Sequence, residues 1–238
     1  MTFKDLQLVS PLLKAIEEAK YLNPTPIQAQ AIPFILNKKD IIGCAQTGTG
    51  KTASYVLPIL QHLHNQEKRS NQIQALIIAP TRELALQISD NITLYAKYLS
   101  LKHVTLLGGE SVNKQINRLK VKPQILVATP GRLLDFLQQK VVDLKEVKHL
   151  VLDEADQMLD MGFIKDIQRI LKYVPKVKQT LLFSATMPDE IKKFAFTIQN
   201  SPEEVMIHKV SSTATTVEQK VYMATKDEKR PLLENIFS

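Results

Sequence analysis

Residues 45–52 form a short segment whose side chains and backbone could bind a chain of phosphates. The segment reads Ala45-Gln46-Thr47-Gly48-Thr49-Gly50-Lys51-Thr52. Its glycines allow backbone N–H groups to surround an anion, Lys51 supplies a positive charge for terminal phosphates, and the Thr52 hydroxyl can ligate Mg²⁺. The usual pattern begins with glycine, where this chain has Ala45. We predict that these eight residues bind a nucleoside triphosphate.

The sequence on either side of this loop supports the prediction. Residues 40–44 are a short apolar run suited to a buried strand, and residues 53–66 carry apolar side chains at helical spacing. The loop would then precede a helix N-terminus, whose free N–H groups and dipole favour a bound anion. The alternative is a flexible glycine turn with an incidental lysine.

A pair of carboxylates follows another apolar run, at Asp153 and Glu154. An ATPase with a phosphate loop needs one carboxylate to hold Mg²⁺ and a neighbour to orient or deprotonate the attacking water. We assign Asp153 and Thr52 to binding of Mg²⁺, and Glu154 to orienting or deprotonating the attacking water. Glu154, Lys51 and Asp153 are the predicted catalytic residues. Alternatively, the two acids only complement the N-terminus of the next helix.

Composition limits the possible classes of protein. The chain has 238 residues, of which 44% are hydrophobic, enough for one large α/β domain and the start of another. Its 31 basic and 24 acidic residues suit a polyanionic partner, although the excess could equally serve solubility. Cys44 is the only cysteine and the five histidines are scattered, so an internal disulfide is excluded and zinc is not expected. No apolar stretch is long enough to span a bilayer, and we expect a cytoplasmic protein without a membrane partner.

Apolar runs that favour strands alternate with helical patterns between Asp40 and His208. This alternation predicts an α/β fold with a mostly parallel sheet of about seven strands flanked by helices. The predicted strands are 40–44, 75–79, 104–107, 125–128, 149–152, 180–183 and 205–208. Five of them end in polar clusters, namely the phosphate loop and residues 80–83, 129–132, 153–156 and 184–186. Because ligands bind outside the carboxyl ends of parallel strands, the clusters should converge on one edge.

The two ends of the chain are predicted to lie outside this sheet. Residues 1–38 form a helical extension, with helices at 11–20 and 26–36 that begin with a capping hydroxyl and a proline, Ser10-Pro11 and Thr25-Pro26. Residues 39–210 are the main domain, and the small polar residues 211–216 predict a linker. A strand at 219–223 and a helix from Asp227 follow. Because so few residues cannot fold alone, we expect 217–238 to begin a second domain.

The order of these motifs resembles the N-terminal half of the DEAD-box ATP-dependent RNA helicases, and the opening resembles their bacterial RhlE-type branch. The similarity runs from residue 3 to about residue 225. It rests on Phe3, Pro24 to Gln28, Ala45 to Thr52, Pro80 to Ala85, Gly108-Gly109, Thr129 to Arg132, Asp153 to Asp156 and Ser184 to Thr186. The resemblance implies the first RecA-like domain of such a helicase, with ATP and Mg²⁺ as cofactors and RNA as partner.

The resemblance also implies how adenine is recognised. Gln28 would hydrogen-bond the base and Phe3 would pack on its ring. By the residues alone, Gln28 fits equally well in a capping box with Thr25, closing a helix N-terminus. A phenylalanine near a chain terminus is more often a core residue.

Nine further residues would grip the RNA sugar-phosphate backbone according to the resemblance. They are Pro80, Thr81, Arg82, Gly108, Gly109, Thr129, Pro130, Gly131 and Arg132. Helix N-termini, arginines and glycines suit phosphate contacts, which carry little sequence preference. Taken singly, each cluster could instead be a helix cap followed by a proline.

A last group, Asp156, Ser184 and Thr186, would couple hydrolysis to strand separation through hydrogen bonds to Asp156. The alternative is that the two hydroxyls cap a helix beginning near Pro188. The basic group at Lys114, Arg118, Lys120 and Lys122 is interpreted as a solvated helix face without a functional role.

The sequence leaves two other functions open. An ATP-gated RNA clamp or assembly factor could use the same site without productive unwinding, and a DNA translocase could use the same ATPase core. In the family, a second RecA-like domain contributes arginines that stabilise the transferring phosphate, and its motifs do not occur in these 238 residues. Such arginines are worth about 10³ to 10⁵ in rate, so we expect this chain alone to bind ATP but hydrolyse it very slowly.

Overall fold

The computed structural model describes residues 1–66, 70–207 and 222–237 of the protein. Contacts divide the chain into two compact units, residues 1–208 and 209–238. The predicted linker at 211–216 and most of the predicted strand at 219–223 lie outside the described residues. In the second unit, the described part contains one helix, α10 (Lys229–Phe237). Among the described helices, none has the length and apolar content to cross a membrane.

Seven strands of the first unit form one sheet in which every pair of neighbours is parallel. The strands are β1 (Ile41–Cys44), β2 (Ala75–Ile78), β3 (His103–Leu106), β4 (Ile125–Ala128), β5 (His149–Leu152), β6 (Gln179–Ser184) and β7 (Glu203–Met206). Their spatial order is β3-β4-β2-β5-β6-β1-β7. The seven strands predicted for the sheet are therefore all present among the described residues. Their ends differ by up to two residues.

Nine helices of the described first unit cover the sheet. They are α1 (Ser10–Glu18), α2 (Pro26–Leu36), α3 (Lys51–His64), α4 (Arg82–Tyr95), α5 (Val112–Leu119), α6 (Pro130–Gln138), α7 (Ala155–Asp160), α8 (Ile164–Ile170) and α9 (Asp189–Ile198). Short 3₁₀ turns lie at Phe3–Leu6 and Leu171–Tyr173. One detail of the sequence prediction is wrong, because Val9, not Ser10, is the N-cap of α1 and Ser10 is its first helical residue.

Both faces of the sheet are buried, which explains why its strands are apolar runs. Successive residues point to opposite faces, so Ile41 joins one apolar cluster and Ile42 the other. The first cluster lies under α1 to α4, and the second lies under α6 to α9. Since all seven strands run in the same direction, the loops after their carboxyl ends share one edge of the domain.

Candidate functional site

The phosphate loop connects β1 to the first turn of α3. Gly48 and Gly50 have φ angles of 82° and 88°, a left-handed conformation that glycine adopts without strain. Gly50 is the N-cap of α3, so the free N–H groups of that helix begin at the loop. At the base of the loop, the backbone N–H of Ala45 donates to the Ser184 carbonyl over 3.1 Å. The loop therefore joins strand and helix as the sequence predicts.

The Lys51 ammonium points back into this loop. Its side chain is 6% exposed, and Nζ donates to the Ala45 carbonyl over 2.7 Å. Gln46 and Thr49 close the outer turn of the loop, where the Thr49 hydroxyl donates to the Gln46 carbonyl over 2.6 Å. A ligand with its own oxygen atoms would compete with the Ala45 carbonyl for this ammonium.

Asp153 follows β5 and lies against α3. It is 2% exposed, and its Oδ2 accepts a hydrogen bond of 2.7 Å from the Tyr55 hydroxyl. Burial raises the pKa of Asp153 to about 6, although the Tyr55 hydrogen bond and the nearby Lys51 charge lower it. Glu154 comes next in a left-handed conformation with φ 54°, as the N-cap of α7. Burial disfavours the ionised form of this carboxylate, and a divalent cation bound next to it would stabilise that form.

A cavity of about 360 Å³ opens between these residues. Nine predicted site residues line it: Phe3, Gln28, Thr47, Gly48, Gly50, Lys51, Thr52, Asp153 and Glu154. Its volume falls within the range of about 300 to 1,000 Å³ that is usual for small-molecule sites. The cavity therefore brings the phosphate loop, both carboxylates and the predicted adenine-binding residues to one place.

Gln28 contacts two elements of this cavity at once. Its Oε1 accepts from the Thr25 backbone N–H over 3.0 Å, which is the capping interaction at the start of α2. Its Nε2 donates to the Gly50 carbonyl over 3.1 Å. The capping interpretation of Gln28 is thus correct, and the same side chain also lines the cavity.

A second group of predicted residues meets on loops after β2, β3 and β4. A Cβ added to Gly109 would lie 2.4 Å from Nη1 of Arg82, which shows how closely that arginine covers the glycine. The Gly108 N–H donates to the Thr129 hydroxyl over 3.3 Å, and Arg132 donates to the Glu110 carbonyl over 2.9 Å. These contacts join the three loops into one surface, which we call the arginine–glycine surface.

The hydroxyl groups of this surface behave differently from one another. The Thr81 hydroxyl accepts from the Leu84 N–H over 3.2 Å, so Thr81 is a true helix cap. Thr129 is also an N-cap by position, but its hydroxyl makes no capping bond and is used by Gly108 instead. Pro80 and Pro130 are buried beside these caps, whereas Gly131 is exposed.

Asp156 is connected to the loop after β6. Its Oδ2 accepts from the Thr186 N–H over 2.8 Å and from the Thr186 hydroxyl over 2.9 Å. The Ser184 hydroxyl accepts from the Asp156 N–H over 3.1 Å. Burial raises the pKa of Asp156, but the hydrogen bonds from Thr186 and Ser184 outweigh it and leave the pKa below its usual value. The alternative that these hydroxyls cap the next helix is wrong, because Pro188 is the N-cap of α9.

Known proteins resemble this chain in sequence. A sequence model of the family described as DEAD/DEAH box helicase matches residues 25–194. The chain belongs to this family. RhpA, a DEAD-box ATP-dependent RNA helicase of Helicobacter pylori (strain ATCC 700392 / 26695), is 46% identical over 228 residues, which are 96% of this chain and 46% of RhpA. CshA, a DEAD-box ATP-dependent RNA helicase of Bacillus subtilis (strain 168), is 44% identical over 230 residues, which are 97% of this chain and 46% of CshA.

Solved structures of the DEAD-box family confirm the predicted fold, a RecA-like P-loop NTPase domain. The crystal structure of a DEAD box protein from the hyperthermophile Methanococcus jannaschii matches with a TM-score of 0.81 and 38% identity, over 100% of this chain and 63% of that chain. The chain spans about half the length of the curated relatives it matches. Its assignment to the RhlE-type branch stays a prediction.

Several residues of the cavity and of the neighbouring loops were not predicted from the sequence. Tyr21, Gln87, Asn91 and Tyr95 line the cavity, and the last three share a face of α4 at helical spacing. Gln115, which is fully buried, holds the loop before α5 through both backbone groups of Leu107 and the Glu110 carbonyl. Arg118 pairs with Glu110 and so differs from its solvated neighbours on α5. The spacing of α4 could have revealed its three residues, whereas the contacts of Gln115 have no sequence signal.

Proposed function

We propose that this protein is the first RecA-like domain of an ATP-dependent RNA helicase, which binds Mg²⁺-ATP and the RNA backbone to drive local separation of duplexes. The observation that carries the proposal is the convergence of the nucleotide cavity and the arginine–glycine surface on one edge of a parallel sheet. The names of the relatives support it, since they are described as ATP-dependent RNA helicases.

The residues of the cavity suit ATP and Mg²⁺. The phosphate loop and Lys51 would hold the phosphates, and Lys51 would exchange the Ala45 carbonyl for a phosphate oxygen. Mg²⁺ usually keeps several waters and takes only one or two protein ligands beside phosphates, so Thr52 and Asp153 would suffice. When bound, the ion would neutralise charge on the phosphate oxygens. Glu154, in the cavity wall, would orient the attacking water and take its proton.

Backbone recognition of RNA follows from the arginine–glycine surface. Helix N-termini at Thr81 and Thr129 offer N–H groups to phosphates, and Arg82 and Arg132 add positive charge. Such contacts predict little sequence preference and an affinity that falls as salt concentration rises. Through its hydrogen bonds, Asp156 would transmit the state of the nucleotide to the loop of Ser184 and Thr186.

A second RecA-like domain in the full-length protein would supply the arginines that complete the catalytic site. We therefore expect residues 1–238 alone to bind ATP and to hydrolyse it very slowly. Robust RNA-stimulated turnover by this chain would contradict that expectation. We also propose a cytoplasmic location, where both ATP and RNA are available.

The nucleotide assignment is tested by the substitution Lys51→Ala. Removing the only side-chain cation proposed for the phosphate pocket should abolish ATP binding in a calorimetric titration. Lys39→Ala is the matched control, because Lys39 is exposed and precedes β1 at the opposite end of the strand. If Lys51→Ala binds ATP as well as the native chain does, the phosphate-loop assignment is wrong.

The reaction itself is tested on the full-length protein. Release of a short RNA duplex should require ATP and should be lost in Glu154→Gln. Release that does not depend on Glu154 would favour an ATP-gated clamp. Single-stranded DNA of matched length should compete poorly with labelled RNA, and strong competition would favour a DNA translocase.

A further inference from the structure

Tyr55 is a buried residue of α3 whose hydroxyl reaches the nucleotide site from behind. It lies one helical turn after Lys51 and Thr52, so its side chain shares their face of the helix. The residue is 0% exposed. Its hydroxyl donates to Oδ2 of Asp153 over 2.7 Å, although 98 residues separate the two in the chain.

The position of this phenol is fixed by packing on the sheet. The Tyr55 ring contacts the Phe183 ring, with centroids 5.2 Å apart and planes tilted by 46°. Phe183 on β6 is the register partner of Gly43 on β1. A Cβ at Gly43 would lie 2.5 Å from the Phe183 ring, so glycine leaves the space that this ring occupies. The chain of contacts from Gly43 through Phe183 to Tyr55 leaves the phenol little freedom.

The two oxygens of the Asp153 carboxylate therefore both have fixed partners. Oδ1 accepts from the Glu154 N–H over 3.0 Å, and Oδ2 accepts from Tyr55. One buried hydroxyl thus bonds directly to a carboxylate that is proposed to ligate Mg²⁺.

A phenylalanine at position 55 could fill the same space and pack on Phe183 in the same way. The hydroxyl group is needed only for its polar contacts. Hydrogen bonds to a carboxylate that ligates a metal restrict its orientation, and their loss typically costs about 10- to 100-fold in metal affinity. A bond from a phenol to an ionised carboxylate is among the stronger kinds of hydrogen bond.

We propose that Tyr55 is a positioning residue, which holds the Asp153 carboxylate in the orientation that binds Mg²⁺ together with the nucleotide. This inference rests on the proposed function, because it assigns a role toward the same Mg²⁺-nucleotide site. It adds to that function a residue that would not touch Mg²⁺ itself but would orient one of its ligands. The substitution that isolates the role is Tyr55→Phe.

The experiment follows binding of fluorescent N-methylanthraniloyl-ADP to residues 1–238 over a range of Mg²⁺ concentrations. In Tyr55→Phe we expect the Mg²⁺ concentration at half-maximal tightening to rise about 10-fold, with unchanged affinity for the nucleotide in excess EDTA. Tyr98→Phe is the matched control, because Tyr98 also bonds a carboxylate, that of Glu18, outside the cavity. Its Mg²⁺ dependence should equal that of the native chain.

A double substitution separates positioning from a general effect on folding. Because Tyr55 is proposed to act through Asp153, Tyr55→Phe should not change the Mg²⁺ dependence further when Asp153 is already alanine. A lower melting temperature with an unchanged Mg²⁺ midpoint would assign Tyr55 a structural role only and overturn the proposal. Mg²⁺-independent binding, or no binding, by the native chain would instead contradict the proposed function itself.

Discussion

The side-chain amide of Gln28 joins the start of α2 to the phosphate loop, since its Nε2 donates to the Gly50 carbonyl over 3.1 Å. Gly50 is also the N-cap of α3, the helix that carries Lys51 and Thr52. A base bound against Gln28 would therefore act on the N-cap of the helix that carries Lys51 and Thr52. In the proposed function, adenine recognition and phosphate binding would thus be linked by one hydrogen bond.

This relationship makes Gln28→Ala informative. The variant should lose selectivity for ATP over GTP, and its free energy of unfolding should fall by about 1 kcal/mol because a capping bond is removed. Calorimetric titration with both nucleotides measures the selectivity. Gln30→Ala, an exposed position on the same helix, should change neither quantity. A drop in stability with unchanged selectivity would leave Gln28 as a helix cap alone.

The arginine–glycine surface predicts different outcomes for two neighbouring glycines. Gly109 has φ 72°, and a Cβ there would lie 2.4 Å from Arg82, whereas a Cβ at Gly108 would meet nothing within 4 Å. Gly109→Ala should therefore lower the free energy of unfolding by about 1 kcal/mol or more and displace the guanidinium. Gly108→Ala should cost much less. Urea denaturation of both variants decides between them.

The effect of Gly109→Ala on RNA affinity should then resemble that of Arg82→Ala. If Arg82 contacts a phosphate, both variants should weaken binding similarly for all RNA sequences, and Arg82→Ala should reduce the salt slope by about one unit. Fluorescence anisotropy with a labelled single-stranded RNA, repeated at several salt concentrations, measures both. Unchanged slopes would remove Arg82 from the RNA contacts.

Gln115 offers a test of how the glycine loop is supported. Replacing it by leucine leaves the N–H and carbonyl of Leu107 without their partners in a buried place, which should cost at least about 2 kcal/mol of unfolding free energy. Nucleotide affinity should be retained while RNA affinity falls. Asn117→Leu on the exposed side of the same helix is the control. Equal losses of both affinities would mean that the whole domain is disturbed.

Most strands were predictable because both faces of the sheet are buried. Residues 125–128 are an unbroken apolar run and residues 149–152 consist of His149 and three apolar residues, and the structure gives both strands the predicted bounds. The predicted bounds of the edge strand β7 differ by two residues from the observed ones, since Glu203–Met206 begins with two glutamates and has only one buried residue. An apolar run identifies a strand that is covered on both sides, but it marks the ends of an edge strand poorly.

Some features of the candidate site are contiguous in sequence, whereas others depend on contacts between residues far apart in the chain. The phosphate loop and the Asp153-Glu154 pair are contiguous in sequence, so their chemistry can be read directly. The bonds from Tyr55 to Asp153 and from Gln28 to Gly50 join residues 98 and 22 positions apart. Such contacts depend on how helices pack on the sheet, which no local pattern specifies. The residues expected to contact a ligand are therefore easier to identify in the sequence than the residues that orient them.

The last prediction concerns His149, at the start of β5 and at the opposite edge of the sheet from the cavity. Burial lowers its pKa to about 4, helped by the neighbouring His62, Lys148 and Lys38, against a raising effect of the hydrogen bond to Gln179. Its ring stacks on His62, with centroids 5.0 Å apart, and burial lowers the pKa of His62 as well. The folded protein therefore favours neutral histidine at this place.

The consequence for stability has a definite sign. Above the pKa of the unfolded histidine, about 6.5, His149 is neutral in both states and its contribution is fully present. As pH falls from 6.5 toward 4, the unfolded chain binds a proton that the folded chain resists, so stability is lost by up to about 1.4 kcal/mol per pH unit. Asp153 acts in the opposite direction between its usual pKa and about 6. The unfolding free energy of the native chain must therefore be compared at each pH with that of a His149 variant, in which the contribution of Asp153 is the same and cancels.

His149→Asn retains a donor for Gln179 and removes the titrating ring. The difference in unfolding free energy between the native chain and this variant should be largest near pH 8 and should shrink by about 1 to 2 kcal/mol at pH 5. Urea denaturation at several pH values measures it. Gln30→Asn, at an exposed position of α2 that carries no titrating group, should give a difference that does not vary with pH. Only a histidine that the fold keeps neutral makes this difference in unfolding free energy shrink as pH falls. If the unfolding free energies of the native chain and of His149→Asn instead run parallel with pH, His149 accepts its proton as readily in the folded state as in the unfolded state.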